Sequence, residues 1–357
     1  MRSYLPLALL LAASTAHAAP IAERPLRVIT HNSRFEPVGE GFKMTPDTAT
    51  ILAFSPDGKT LVTGGENCPL QFWDVATGRE KSFLKQRFKS NYAVEFSPDG
   101  KWLALGGSEH VGVTLWNTRT GKKVRTLAEP YPISKGAHTY DVHWSRDSKT
   151  IFANPGGRLQ VWNATSGKLV RKIKSKEHQL DLLLSPDGKT LVSTDILKTN
   201  ENGFDKTVTR FWDASSLKLK RTIANLGMPL TYSPDGRQIV TRLPGSPVGN
   251  YPFVDSKIGQ FYTQSGALWS RTQVRITANG DAEPLAFSPN GKLLAVGRAD
   301  KTIYLYNGRV SSRPSYLPVI DTLREGNDRV SALAFSPDGK LLASAGDPGK
   351  VKLWRVN

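Results

Sequence analysis

Along most of the chain, short apolar runs alternate with polar turn sequences. Ile51-Leu-Ala-Phe54 leads into Ser55-Pro-Asp-Gly58, a lysine follows, and a second apolar run starts at Leu61. Leu333-Ala-Phe335, Ser336-Pro-Asp-Gly339, Lys340 and Leu341 repeat that order near the other end. The pattern predicts strand, tight turn, strand. The turn chemistry is explicit: proline presets φ at the second position, aspartate suits the third, and glycine accepts the left-handed conformation at the fourth.

The same turn opens at Ser55, Ser97, Ser185, Ser233 and Ser336, with the variants Ser145-Arg-Asp-Ser148 and Ser288-Pro-Asn-Gly291 between them. Seven copies result, spaced 42, 48, 40, 48, 55 and 48 residues apart. Losing both proline and glycine, the Ser145 hairpin is expected to be looser. An aromatic follows each turn: Trp73, Trp116, Trp162, Trp212, Tyr262, Tyr306 and Trp354. After the aromatic there is commonly a small polar residue and a glycine, as at Thr77-Gly78 and Thr120-Gly121, and then a fourth run such as Lys123-Val-Arg-Thr-Leu127. Units of four short strands cannot bury both faces alone, so they must stack radially.

Ala334-Phe-Ser-Pro-Asp-Gly-Lys-Leu-Leu-Ala-Ser344, closing on Leu353-Trp354, resembles a WD40 repeat, and the resemblance covers about residues 48–357. It implies an all-β fold, a seven-bladed β-propeller of four-stranded antiparallel blades. Loops joining strands d to a and b to c would gather on a top face, with the tight a to b and c to d turns on the bottom. It also implies a polar network of a histidine before strand a, a hydroxyl in strand b, an aspartate before strand c and the tryptophan. Blade 4 comes nearest with His178, Ser193 and Trp212, although Asp205 sits one residue early. Asp300 matches the aspartate position, but Tyr306 follows it. Neither the first nor the last repeat has a complete set, so apolar packing between blades is expected to carry the fold. The chain stops after the third strand of its last blade, and Leu26-Arg-Val-Ile-Thr30 reads as the strand that closes the ring.

Ahead of that strand, Met1-Arg2, an apolar run over residues 5–13 and Ala16-His17-Ala18 have the order of a signal peptide. The run is too short to span a bilayer. Export to the periplasm or cell exterior follows, with residues 1–18 as leader, 19–47 as the segment holding the closing strand, and 48–357 as the propeller. The one cysteine, Cys68, allows no internal disulfide.

No cofactor or metal is expected, because no established catalytic or nucleotide-binding motif is present. Gly58-Lys59-Thr60 and Gly188-Lys189-Thr190 imitate the end of a phosphate loop, but each lies in a hairpin and lacks the first glycine. His138 and His143 are five residues apart, which on a strand sends them to opposite faces. One constellation remains. Counting back from the turn serine, Asp141 and Asp181 share one strand-a position, while Glu95 and His143 share another. These four could cluster beside the central channel, as a site or as solvated charge.

Length varies mainly in the b to c connections of blades 4 and 5, where Phe204, Tyr251 and Phe253 are candidate anchors for a protein or peptide partner. The formal charge of +17 favours anionic partners. It concentrates in fourth strands and the loops after them, including Lys172, Lys174 and Lys176, which serve equally as edge protection or as an anionic docking rim. The reading is a monomeric, non-catalytic interaction scaffold. Its alternative is a binder of an anionic envelope polymer or lipid headgroup; a propeller enzyme and nucleic-acid binding rank below both.

Overall fold

The computed structural model describes residues 26–30, 50–65, 69–81, 91–107, 112–128, 139, 141–173, 179–197, 206–224, 226, 228–243, 257–264, 267–274, 284–298, 300–309, 319–325, 329–346 and 350–356. They form seven antiparallel sheets of four strands each. In sequence order, the strands a of the seven blades are Ile51–Phe54, Asn91–Phe96, Val142–Trp144, Gln179–Leu184, Met228–Tyr232, Leu285–Phe287 and Ala332–Phe335. Each packs on strand a of the next blade, and Ala332–Phe335 packs on Ile51–Phe54, so these strands make a closed inner ring. The molecule is a seven-bladed propeller.

Six blades take their outer strand d from their own repeat, from Glu80–Lys81 in blade 1 to Val319–Arg324 in blade 6. In blade 7 that place is held by Arg27–Thr30, which pairs antiparallel with Lys350–Arg355, Arg27 opposite Leu353 and Thr30 opposite Lys350. The Leu26 N–H also donates to the Leu353 carbonyl at 2.7 Å.

Why the blades stack follows from the period of two along each strand. Leu61 and Trp73 of blade 1 face blade 7, joining Ala332, Ala343 and Leu353. Their neighbours Val62 and Phe72 face blade 2, joining Phe96, Leu103 and Trp116. The same alternation gives one apolar core per seam, seven in all. Among the described side chains, the aromatic of strand c enters the seam with the preceding blade: Trp162 meets blade 2, Trp212 meets blade 3 and Trp354 meets blade 6. Each buried Leu or Trp in a seam stabilises the fold by about 1.5–3 kcal/mol.

Buried indoles need a partner for their N–H. Blades 1, 4 and 7 supply it from strand b: Trp73 donates to Thr63 at 2.9 Å, Trp212 to Ser193 at 2.9 Å and Trp354 to Ser344 at 2.7 Å. Blades 2 and 3 use the residue two places back on strand c, Thr114 at 3.0 Å and Gln160 at 3.2 Å. In blade 7 the chain extends further, for Ser344 donates to the buried Glu325 carboxylate, which also faces Lys352 at 3.6 Å. Glu325 stands before strand a, where the family resemblance implies a histidine. A polar network therefore does exist in the last blade, built on a carboxylate.

The hairpin at Ser145 is as tight as the others, against expectation. Ser148 adopts φ +58, close to the +68 of Gly58, and its N–H donates to the Ser145 carbonyl at 2.9 Å as in the glycine turns. Its hydroxyl compensates by accepting the Asp99 N–H of the neighbouring turn at 3.1 Å.

Candidate functional site

At the inner ring, three of the four residues singled out from the sequence come together. Glu95 is the penultimate residue of strand a of blade 2, His143 lies in the middle of strand a of blade 3, and Asp141 sits one residue ahead of that strand. His143 Nδ1 is 3.1 Å from Glu95 Oε2, and its Nε2 is 2.8 Å from the Leu182 carbonyl in blade 4. Asp141 Oδ2 accepts the Leu182 N–H at 2.9 Å. Glu95 further accepts the Trp144 indole N–H on its carbonyl at 3.2 Å. A link into blade 4 thus runs through the peptide groups of Leu182, next to Asp181.

The protonation state follows from this geometry. Both ring nitrogens of His143 face acceptors, and only the imidazolium donates from both. Burial opposes that charge, but the hydrogen bond and charge of Glu95, with the charge of Asp141, outweigh it and raise the His143 pKa to about 9. Burial also pushes the Asp141 carboxyl upward, against the pull of His143 and the Leu182 N–H. An imidazolium with both protons engaged has no lone pair to accept a proton from a substrate. The arrangement ties three blades together.

Asn154 is the member the sequence did not reveal. It is fully buried, and its side-chain oxygen accepts the Asp141 N–H at 3.0 Å, fixing the residue that reaches blade 4. Its only signal was an asparagine ahead of Pro155-Gly-Gly157. Among the described residues no cluster of three or more His, Cys, Asp or Glu side chains could hold a metal ion. No helix of the described residues is long and apolar enough to cross a membrane.

The other candidates are scattered. Lys172 is exposed on the outer strand of blade 3. Lys174, Lys176, His138, His178, Phe204, Asp205, Tyr251 and Phe253, with the residue 1–18 leader, lie outside the described residues. Several outer-strand cations have structural work instead: Arg171 donates to the Ser216 carbonyl of the next blade at 3.2 Å, and Arg27 and Arg125 pack against Gly78 and Gly167 of theirs.

A family model described as "WD domain, G-beta repeat" matches residues 46–74, 285–307 and 318–355. The chain carries WD40 repeats over those stretches. The matched stretches hold the first three strands of blade 1, all four of blade 6 and strands a to c of blade 7, and the Glu95–His143–Asp141 cluster lies in the blades between. The WD repeat-containing protein slp1 of Schizosaccharomyces pombe is 29% identical over 148 residues, 39% of this chain and 29% of that protein. The nuclear distribution protein nudF of Emericella nidulans is 26% identical over 189 residues, 50% and 38%. The target of rapamycin complex subunit LST8 of Mus musculus is 28% identical over 156 residues, 40% and 45%. This chain spans less than half the length of each of these relatives. Among solved structures, a chain of Kuenenia stuttgartiensis hydrazine synthase superposes with a TM-score of 0.69 at 21% identity, covering 90% of this chain and 99% of that one. At that identity the likeness is one of fold.

Proposed function

We propose that this WD40 propeller is an exported, non-catalytic scaffold that binds a protein or peptide partner through the long b to c connections of blades 4 and 5. One observation carries the reading: the length variation sits on one side of a ring whose a to b turns are uniform, and the strands themselves grow into it. In blade 1 strands b and c are Thr60–Gly64 and Gln71–Asp74, whereas in blade 4 they are Thr190–Leu197 and Lys206–Asp213, paired out to Leu197 opposite Lys206. A longer hairpin lifts the connection it carries away from the ring, and loops held on a rigid scaffold are where binding concentrates. A complex subunit, the relative named LST8, is among the similar proteins.

The experiment is partner capture from a cell-envelope extract with the wild-type chain and a Tyr251→Ala/Phe253→Ala variant. Losing true aromatic anchors costs about 2 kcal/mol or more, so capture should weaken at least tenfold at an unchanged Tm. Equal capture by both proteins would remove the loops from consideration. A second reading, an anionic envelope polymer held by the rim, draws support from exposed Val124, Val170 and Leu219 beside cations on the outer strands. It predicts capture that raised salt abolishes. The leader reading is tested by the mass of the chain recovered outside the cytoplasm, expected to begin at Ala19.

A further inference from the structure

The a to b turns meet around the bottom of the ring, and the fourth residue of each turn faces the turn of the preceding blade. Pro337 covers Gly58, its Cδ 3.7 Å from where a Cβ would stand. Pro186 covers Gly236 at 3.7 Å, Pro234 covers Gly291 at 3.8 Å and Pro289 covers Gly339 at 3.5 Å. Where arginine replaces proline, Arg146 covers Gly188 at 3.7 Å. Ser148 meets its neighbour by the hydrogen bond from Asp99. Six of the seven turn contacts are thus closed. At the seventh, between blades 1 and 2, no atom among the described residues lies within 4 Å of the equivalent point on Gly100.

A recess of about 480 Å³ opens at that seam. It is lined by the buried Phe72 and Phe96, by Pro56 and Pro98, and by Asp57, Asp99 and Arg119. Both carboxylates are held ionised. The Ser55 hydroxyl and Lys59 N–H lower Asp57, and at Asp99 the hydrogen bonds of Ser97 and Lys101 outweigh the opposing effect of burial. Acidic groups thus outnumber basic ones in the lining of a chain whose formal charge is +17.

We propose that this recess binds an extended peptide, seating a proline ring on Gly100 and a neighbouring basic side chain at the Asp57 and Asp99 carboxylates. The proline specificity is templated by the molecule itself, since four equivalent seams close with a proline ring on the same glycine. Proline also binds at low entropic cost, and aromatic-lined grooves recognise it in other folds. Charge selects the neighbour: a cation gains at the two carboxylates, and an acidic residue is repelled by them. The site lies at the a to b turns, the opposite end of the blades from the strand ends Leu197, Lys206, Leu243 and Lys257, so it stands whatever the function of the connections of blades 4 and 5.

The test is fluorescence anisotropy with the full mature chain and a labelled, capped peptide, Ala-Ala-Pro-Arg-Ala-Ala. Saturable binding is expected, weakened at least fivefold when the peptide's proline or its arginine becomes alanine. The Asp57→Asn/Asp99→Asn variant should weaken it by a similar factor. Asparagine keeps the turn, because Asn290 already accepts both the Ser288 hydroxyl and the Lys292 N–H at 2.9 Å in blade 6. Asp187→Asn/Asp235→Asn, in turns whose glycines are covered, should leave affinity unchanged. Arg119→Ala, which removes the one cation of the lining, should tighten binding at least twofold, and this opposite sign guards against a variant that merely folds poorly. No saturable binding at millimolar protein overturns the proposal. Equal binding of the proline-free peptide, or equal loss in the two aspartate variants, overturns it as well.

Discussion

Two ion pairs in this propeller differ chiefly in how far each is from water. Lys352 and Glu325, 3.6 Å apart, are 10% and 0% exposed, behind the seam of blades 6 and 7. His143 and Glu95, 3.1 Å apart, are 23% and 36% exposed at the inner ring. Shorter separation does not make the second pair the stronger constraint. In the buried pair neither charge can fall back on solvent if its partner is lost, whereas at the inner ring water screens part of the interaction and replaces part of what is removed. Burial, more than distance, decides what a broken pair costs.

The largest effect should therefore follow Lys352→Met. It keeps the aliphatic bulk of the side chain but removes the ammonium facing the buried Glu325 carboxylate, at a cost of about 3–5 kcal/mol. Chemical denaturation at neutral pH should show the loss. A change under about 1 kcal/mol would mean that solvent reaches this carboxylate and that the contrast between the pairs is false.

Glu95→Ala comes next, at about 2 kcal/mol, since it removes the acceptor of the His143 Nδ1 proton. The comparison sharpens in the double variant. Glu95→Ala/His143→Ala makes blades 2 and 3 resemble blades 1, 6 and 7, which carry Ala53, Ala286 and Ala334 at the same repeat position. It should be no less stable than Glu95→Ala alone, giving a coupling energy of about 1 kcal/mol or more in the cycle. Strict additivity would show that the two side chains do not interact.

The smallest effect is in pH. His143 has a folded pKa near 9 against an unfolded value near 6.5, so its contribution is complete below about pH 6.5 and is lost as pH rises through 9. The shift alone corresponds to about 3 kcal/mol, which screening at the exposed edge of Glu95 reduces to about 1–2 kcal/mol. Wild-type stability minus that of His143→Gln should fall over this window. A flat difference would place a neutral imidazole in the fold.

Much of this was legible in the repeat. Seven turn serines, each with an aromatic 17 to 29 residues on, fix the blade count, because a four-strand unit of alternating polarity can bury its two faces only between two copies of itself. The positions of Glu95, His143 and Asp141 in register with the turns were legible for the same reason. Less legible was which groups they would touch. The Leu182 peptide is brought in by the seam between blades 3 and 4, across 41 residues that no spacing along the chain encodes, and Asn154 reaches Asp141 from 13 residues on within blade 3, without a repeat position to mark it. The Ser145 hairpin shows the converse. Local turn chemistry argued for looseness, and a neighbouring turn's N–H supplied the compensation.

By itself the sequence determined the class of fold, the number of blades, the order of strands and which face of each strand is apolar, all of which depend on short-range periodicity. Tertiary structure alone decided how the seven near-equivalent seams differ. One closes on a carboxylate and a lysine, two are bridged through a charged histidine, and one stays open over Gly100. Those outcomes depend on atoms from two blades meeting within a few ångströms, which is a property of the closed ring and of no single repeat.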